Sequence, residues 1–235
     1  MNTDKLSDRL ATVANYIPKG SRIADIGSDH AYLPCHMVKK GAVRYAIAGE
    51  VAEGPYQSAL KQVQLEGLTE SIVVRKGDGL EVIEAGEVEC ITIAGMGGTL
   101  ITSILEAGKD KLVNVERLIL QPNVGAHAIR RWLSEHHWKL VSESILKEDG
   151  KIYEVLVAQN GIGEAVDSDV DELELLFGPY LLKEKNEAFR EKWELEKRNW
   201  QRILNQLEHA EQNDSTLEKK RELEKKLKMV KEVLS

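Results

Sequence analysis

Small, acidic and flexible residues follow the first apolar segment of this chain, where they could bind a ligand. The run Arg22–Ile26 stops at Gly27, and Ser28, Asp29 and His30 come directly after it. Glycine lets a backbone approach a ligand closely, and Asp29 adds a carboxylate at the mouth of the turn. The second and third glycines of the dinucleotide fingerprint G-x-G-x-x-G do not follow. An acidic turn favours a ligand with positive charge and hydroxyl groups over one with a pyrophosphate.

Acids or glycines also end the next apolar runs of the chain. Glu50 could accept hydrogen bonds from both hydroxyls of a ribose, and Asp78 suits an adenine amino group. Gly95, Met96 and Gly97 would expose backbone groups beside a reacting atom. In a doubly wound sheet these strand ends meet at one edge. The pattern predicts S-adenosylmethionine, a sulfonium with a ribose and an ammonium group, as cofactor of a methyltransferase.

Each of these features also has a purely structural interpretation. Asp29 could cap a helix N-terminus, and Glu50 could be a solvated strand end. The glycines that flank Met96 could form only a tight turn, and His30 could simply begin a helix. The joint occurrence of these residues at successive strand ends favours the ligand site.

The elements that must position these residues alternate short apolar runs with helical patterns, which predicts an α/β fold with a mostly parallel sheet. A leading helix is expected at Asp4–Tyr16, and a hairpin turn at Lys147–Gly150. Strands are expected near Arg22–Ile26, Arg44–Glu50, Ile72–Lys76, Cys90–Ala94, Arg117–Gln121, Trp138–Ile145 and Lys151–Ala158. Five strands with crossover helices and a terminal antiparallel hairpin match the seven-stranded sheet of Rossmann-like class I methyltransferases.

The C-terminal part differs in kind, so we expect one domain at residues 1–160 and a second at 170–235. Long charged helices with apolar residues at intervals of three, four and seven predict an antiparallel, coiled-coil-like helical hairpin. Trp193 and Trp200 are interpreted as seam residues of this hairpin. Gly178-Pro179 marks a break before or within its first helix, and Gln212–Asp214 a turn. Ser215 with Glu218 is expected to form a capping box for the second helix.

Composition restricts the function classes. The net charge of −7 argues against broad non-specific nucleic-acid binding, although a local basic patch remains compatible with it. Cys35 and Cys90 are interpreted as buried free thiols. No metal site, no membrane span and a cytoplasmic location are expected.

Four strings make the chain resemble the bacterial tRNA (adenine-N1)-methyltransferases that modify A22 in the D-arm. They are the stretches 25–34, 48–56, 93–98 and 118–123. The stretch 177–182 also resembles the family. The resemblance implies a class I methyltransferase domain with a coiled-coil-like C-terminal domain that uses S-adenosylmethionine and tRNA.

The resemblance assigns the cofactor pocket, and the chemistry of the residues suggests two further roles. The cofactor pocket would comprise Gly27, Ser28, Asp29, His30, Glu50, Val51, Asp78, Gly79, Leu80, Gly95, Met96 and Gly97. Substrate contacts are expected from Gln121, Pro122, Asn123, Arg9, Lys39, Arg130 and Arg131. Asp29 is the candidate catalytic residue, because a carboxylate would stabilise positive charge that develops on the base. It could equally bind only the cofactor.

Two other functions stay open at this point. The chain could methylate a small molecule or a protein and use the helical tail for assembly, or it could be a non-catalytic cofactor-binding module that recruits a partner. The tail itself could dock tRNA or dimerise, and we expect a monomer or weak homodimer.

Overall fold

The computed structural model describes residues 2–161, 171–209 and 213–235 and contains one seven-stranded sheet. Its strands are β1 (Arg22–Ile26), β2 (Tyr45–Glu50), β3 (Ile72–Lys76), β4 (Cys90–Gly97), β5 (Arg117–Val124), β6 (Trp138–Glu148) and β7 (Lys151–Asn160). Their order in the sheet is β3-β2-β1-β4-β5-β7-β6. Strands β1 to β5 run parallel, whereas β7 pairs antiparallel with both β5 and β6. The prediction of a Rossmann-like methyltransferase sheet is therefore confirmed.

The hairpin turn of β6 and β7 is two residues long. Asp149 and Gly150 have φ angles of 49° and 75°. Positive φ at both central positions is the type I′ geometry that matches the twist of paired strands, and Asp-Gly is a favoured sequence for it.

Nine α-helices accompany the sheet within the described residues. They are α1 (Asp8–Asn15), α2 (Tyr32–Lys39), α3 (Glu53–Leu65), α4 (Gly98–Ala107), α5 (Ala126–Glu135), α6 (Glu172–Phe177), α7 (Leu181–Glu184), α8 (Glu187–Glu208) and α9 (Asp214–Leu234). The expected start of the first helix at Asp4 is wrong. Ser7 is the N-cap, and its side chain accepts a hydrogen bond from the Leu10 N–H, so helix α1 begins at Asp8.

Apolar side chains pack on both faces of the sheet. Residues of α1, α2 and α3, among them Val13, Leu33 and Val63, form the cluster on one face. Residues of α4 and α5, among them Ile101 and Ile129, form the cluster on the other. Strands covered on both faces read as continuous apolar runs, which is why they are visible in the sequence.

The helical tail packs against β6 through a third cluster. It contains Ile145 of β6, Phe177, Trp193 of α8, and Val230 of α9. The rings of Trp193 and Trp200 lie 6.1 Å apart, as expected for seam residues. The Gly178-Pro179 break separates α6 from α7, before the long helix α8.

The predicted capping box at Ser215 is wrong, because the N-cap of α9 is Asn213. Its Oδ1 accepts a hydrogen bond from the Thr216 N–H at 2.9 Å. Gln212 of the predicted turn lies outside the described residues, as does most of the stretch between the two expected domains.

Cys35 and Cys90 are free and buried, as the sequence predicted.

Candidate active site

A cavity of about 370 Å³ lies where the strand order reverses, between the ends of β1 and β4. This is the position at which open α/β sheets bind ligands. Its lining comprises Arg9, Leu10, Asp25, Gly27, Ser28, Asp29, Tyr32, Leu33, Glu50, Pro55, Ala94, Gly95 and Met96. The structure thus brings six of the expected cofactor residues together: Gly27, Ser28, Asp29, Glu50, Gly95 and Met96.

The turn after β1 holds a strained backbone. Asp29 adopts φ 55° and Ala31 φ 52°, in the left-handed region that disfavours most side chains. The Asp29 N–H donates a hydrogen bond to Glu50 Oε1. That bond joins the turn to the end of β2, while the Asp29 side chain stays 69% exposed at the cavity mouth.

Asp25 is a site residue that sequence reasoning did not assign. Its carboxylate accepts hydrogen bonds from Ser28 Oγ and Thr92 Oγ1, both at 2.6 Å. Burial raises the pKa of Asp25. A single acid within the apolar run Arg22–Ile26 was the available signal, since an acid is rarely buried without partners.

Glu50 is also buried at the cavity. Burial raises the pKa of this carboxyl against the hydrogen bond from the Asp29 backbone, and the nearby acids Asp29 and Asp25 raise it further. Keeping Glu50 ionised therefore costs the folded protein stability, but the ionised carboxylate accepts two hydroxyl hydrogen bonds best.

Two side chains at the C-terminal end of β5 hold the Gly95 segment of β4 in place. Gln121 Oε1 accepts the Gly95 N–H at 3.0 Å, and Asn123 Nδ2 donates to the Gly95 carbonyl at 2.7 Å. Gly95 has φ 83°, and the register of β4 against β5 shifts at this point. Gln121 is completely buried and so holds the loop without facing the cavity.

A groove of about 480 Å³ adjoins this clamp and runs between β5, β7 and α8. Pro122 and Asn123 lie on one wall, Tyr153 of β7 lies beside them, and Lys192 and Leu195 of α8 form the opposite wall. The groove is the place where the catalytic sheet and the helical tail face one another next to the predicted site.

Several expected cofactor residues do not line the cavity. Asp78, Gly79 and Leu80 line a separate cavity of about 300 Å³ with residues of α4, and the Leu80 side chain is core. Asp78 and Glu81 form a capping box for the short 3-10 helix that follows Asp78.

Three further residues expected to bind the cofactor do not line the cavity but are chain neighbours of residues that do. Val51 is exposed after β2, and Gly97 ends β4. The His30 ring stacks on Tyr32, with centroids 5.1 Å apart.

The four basic residues expected to contact substrate have different surroundings. Arg9 lines the cavity, and Arg131 is exposed on α5. Hydrogen bonds to Asp4 and Glu66 raise the pKa of Lys39 to about 12 and occupy its ammonium away from the cavity.

The expected contact of Arg130 with substrate is corrected, because its side chain is 3% exposed. Its Nε donates to Glu143 Oε1 at 2.6 Å and its Nη2 to Glu154. Both Nη1 bonds go to the carbonyls of Leu175 and Leu176, each at 3.2 Å. The buried guanidinium, which already makes four hydrogen bonds, is therefore not accessible to an external phosphate.

The lining of the cavity fits S-adenosylmethionine. The carboxylates of Asp25, Asp29 and Glu50 would attract the positive charges of this ligand. Gly27, at φ 70°, leaves no side chain between the turn and Met96. Within residues 2–161, 171–209 and 213–235, no group of three His, Cys, Asp or Glu side chains could hold a metal ion. None of the helices in these ranges is long and apolar enough to span a membrane.

Comparison with known proteins gives a consistent result along the whole chain. A family model described as tRNA (adenine(22)-N(1))-methyltransferase matches residues 23–232. The tRNA (adenine(22)-N(1))-methyltransferase of Bacillus subtilis is 52% identical over 235 residues, which are 100% of this chain and 99% of that protein.

Solved structures show the same likeness. The crystal structure of the B. subtilis m1A22 tRNA methyltransferase has a TM-score of 0.92 and 51% identity, covering 99% of this chain and 100% of that one. The M. capricolum TrmK structure contains S-adenosyl-homocysteine and has a TM-score of 0.83 with 31% identity, covering 98% and 99%.

Proposed function

This chain belongs to the tRNA (adenine(22)-N(1))-methyltransferase family, and we propose that it transfers a methyl group from S-adenosylmethionine to N1 of adenine 22 in tRNA. The observation that carries the proposal is the acidic cavity at the strand switch point, beside a clamped glycine loop and an open groove. We further propose that the tRNA is recognised at its D-arm and that the protein acts in the cytoplasm, where tRNA is found.

Alignment is the main task of this site. When bound, S-adenosylmethionine supplies an electrophilic methyl group on a sulfonium. Adenine N1 already carries a lone pair, so the protein needs no base to create the nucleophile. The contribution of the chain is to hold the reactants in line, which can supply several kcal/mol of the barrier. Gln121 and Asn123 serve this purpose by fixing the backbone N–H and carbonyl of Gly95.

Asp29 is proposed to stabilise the positive charge that methylation creates on the adenine ring. Its side chain is exposed at the cavity mouth, while its backbone N–H is used by Glu50. A carboxylate in this position acts electrostatically on the developing cation.

The first experiment is methyl transfer from labelled S-adenosylmethionine to unmodified tRNA, followed by nucleoside analysis by mass spectrometry. We expect 1-methyladenosine, and we expect none with tRNA in which adenine 22 is replaced. Label in a small-molecule or protein fraction but not in tRNA would overturn the proposed function.

Asp29→Asn tests the catalytic role with little backbone strain, because asparagine tolerates the left-handed region better than alanine does. We expect kcat to fall about tenfold or more, with cofactor affinity changed less than about threefold. A parallel loss of cofactor affinity would instead make Asp29 a cofactor ligand. Asp110→Asn, at an exposed acid between α4 and β5, is the control.

Glu50→Gln is expected to weaken cofactor binding by about 10- to 100-fold, since charge-assisted hydrogen bonds to the ribose hydroxyls are lost. The free protein should melt at the same or a higher temperature near pH 7.5. A raised carboxyl pKa means that the folded state binds protons more tightly, so the stability cost appears as pH rises through that pKa.

At about pH 3, where the carboxyl is largely protonated in both states, the melting temperatures of wild type and Glu50→Gln should coincide. Calorimetric titration and thermal melts measure both effects. Glu70→Gln, at an exposed residue, should change neither. Unchanged cofactor affinity in Glu50→Gln would refute the ribose assignment.

We propose two domains, residues 1–160 and 170–235, with the helical hairpin forming one wall of the substrate groove. The groove is lined by Lys192 and Leu195 of α8 opposite Asn123, next to the Gly95 loop. Exposed Arg131 of α5 is the remaining candidate for a phosphate contact among the four basic residues expected to bind substrate.

A further inference from the structure

Tyr153 of β7 is an aromatic residue that lies outside the apolar clusters of the protein. Its side chain is half-buried. Its chain neighbour Ile152 packs with the third cluster, whereas Tyr153 belongs to none of the three clusters that the described residues form. Its hydroxyl has no hydrogen-bond partner within that part of the chain. Apolar packing therefore does not account for a ring at this position.

The ring stands where the groove meets the switch-point cavity. Tyr153 lines the groove, and the guanidinium of Arg9, which lines the cavity, lies over the ring at 5.5 Å from its centroid. A second contact joins the two spaces, because Asn123 lines the groove and donates a hydrogen bond to the carbonyl of Gly95 in the cavity lining. A ligand on the face of the ring that Arg9 leaves uncovered would therefore lie next to the space in which we place the methyl donor.

The lining of the groove fits a flat, uncharged group better than a phosphate. Two large apolar side chains are exposed there, Val124 at 72% and Leu195 at 47%. The charged residues of the lining are two of each sign: Lys151, Lys192, Glu154 and Glu196. Lys192 is moreover paired directly with Glu154, so its charge is already compensated. A nucleobase has the matching chemistry, because its faces are apolar and it carries no charge.

We propose that Tyr153 stacks on the adenine that receives the methyl group and holds this base in the groove beside the cofactor. A base that is paired or packed within an RNA must leave its neighbours before an enzyme can reach it, which costs free energy. Stacking on an aromatic side chain replaces the lost contacts, and proteins commonly bind unstacked RNA bases in this way. The inference rests on the proposed function and names the residue of the substrate groove that takes the base.

The test is a binding cycle with two protein forms and two RNAs. Intact tRNA and the same tRNA without the base at position 22 are titrated onto the full chain in the presence of S-adenosyl-homocysteine. Tyr153→Ile removes the ring and keeps a β-branched residue that suits a strand. We expect it to weaken binding of intact tRNA by about 5- to 150-fold, the range for one base–aromatic stack, and binding of the abasic tRNA by less than about threefold. The cost of extruding the base is common to both protein forms and cancels in this comparison.

The ring, and not the hydroxyl, should carry the effect. Tyr153→Phe is expected to keep at least about a third of the wild-type kcat/KM for tRNA, since phenylalanine offers the same aromatic face. Tyr153→Ile should lower kcat/KM by about 5- to 150-fold. Cofactor affinity, measured by calorimetric titration, should change less than about threefold in either variant.

Val73→Ala is the control for loss of apolar surface from a strand. Val73 is an exposed residue of β3, at the opposite edge of the sheet from the groove. Its substitution should change neither the affinity for tRNA nor the rate of methyl transfer. Ligand-free melts check folding, and Tyr153→Thr, another residue that suits a strand, replaces Tyr153→Ile if that variant does not fold.

Three outcomes would overturn the inference. The first is an equal effect of Tyr153→Ile on intact and abasic tRNA, whether large or absent, since the ring would then not meet the base. The second is a loss in Tyr153→Phe as large as that in Tyr153→Ile, which would assign the role to the hydroxyl. The third is a wild type that forms no 1-methyladenosine in tRNA, which would overturn the proposed function as well. Formation of 1-methyladenosine by a protein that shows no coupling in the binding cycle would overturn the inference alone.

Discussion

Arg130→Ala is expected to lower the free energy of unfolding by about 3–5 kcal/mol, the range for removing one partner of a buried ion pair. The substitution removes the arginine partner of the Glu143 and Glu154 carboxylates, whose side chains are 0% and 3% exposed. It also removes the donors to the carbonyls of Leu175 and Leu176 at the end of α6. Urea unfolding followed by circular dichroism measures the loss.

The destabilisation should depend on pH. In the wild type, burial raises the pKa of Glu143, while Glu154 is held below its ordinary pKa by Lys192 and Arg130 despite its burial. Without Arg130 both carboxyls are easier to protonate in the folded state than they are in the wild type, although Lys192 still pairs with Glu154. Stability of the variant relative to the wild type then falls as pH rises, so the loss should be smaller at pH 5 than at pH 8.

Arg131→Ala is the matched control, since Arg131 is the adjacent residue of α5 and is exposed. A surface substitution of this kind changes stability by less than about 0.5 kcal/mol. Equal losses in the two variants would show that the buried ion cluster does not hold the helical tail to the sheet.

Gly98→Ala is expected to destabilise the protein by about 1–3 kcal/mol and to reduce methyl transfer by about a hundredfold. A Cβ at Gly98 would overlap the carbonyl oxygen of Gly125 and press on that of Val124. Both neighbours are backbone, so the start of α4 must move away from the start of α5. That movement displaces the loop that Gln121 and Asn123 clamp.

Gly97→Ala is the control for stability. A Cβ at Gly97 would meet nothing within 4 Å, and its φ of −75° suits any residue. Thermal melts should place this variant within about 0.5 kcal/mol of wild type. If Gly98→Ala were equally stable and active, the close approach of the two helix starts would have no role in holding the loop.

The strands of the sheet were predictable because burial on both faces leaves unbroken apolar runs. The predicted ranges of β1 and β3 coincide with the structure, and the Asp149-Gly150 turn was legible from its residue types. Helix ends were less predictable. Ser7 and Asn213 cap their helices where other polar residues nearby had similar capping propensity, and the local sequence does not decide among them.

The sequence pattern indicates that Arg130 is buried but does not identify its partners. Ala126, Ile129 and Leu133 lie at helical spacings around it and are buried, so the periodicity of α5 already placed this arginine on the apolar face. The two acids that receive it come from β6 and β7. Their proximity to α5 depends on how the hairpin packs, which no local pattern encodes.

The sequence by itself determined the class of fold, the acidic turn after β1, the glycine loop after β4 and the identity of the cofactor, because strand burial and turn chemistry act over a few neighbouring residues. Only the tertiary structure decided which charged groups meet. It assigned Arg9 to the cofactor cavity, Arg130 to a buried ion cluster and Gln121 to the support of Gly95. Such pairings depend on distances of a few ångströms between residues far apart in the chain, and these distances exist only once the sheet and helices have packed.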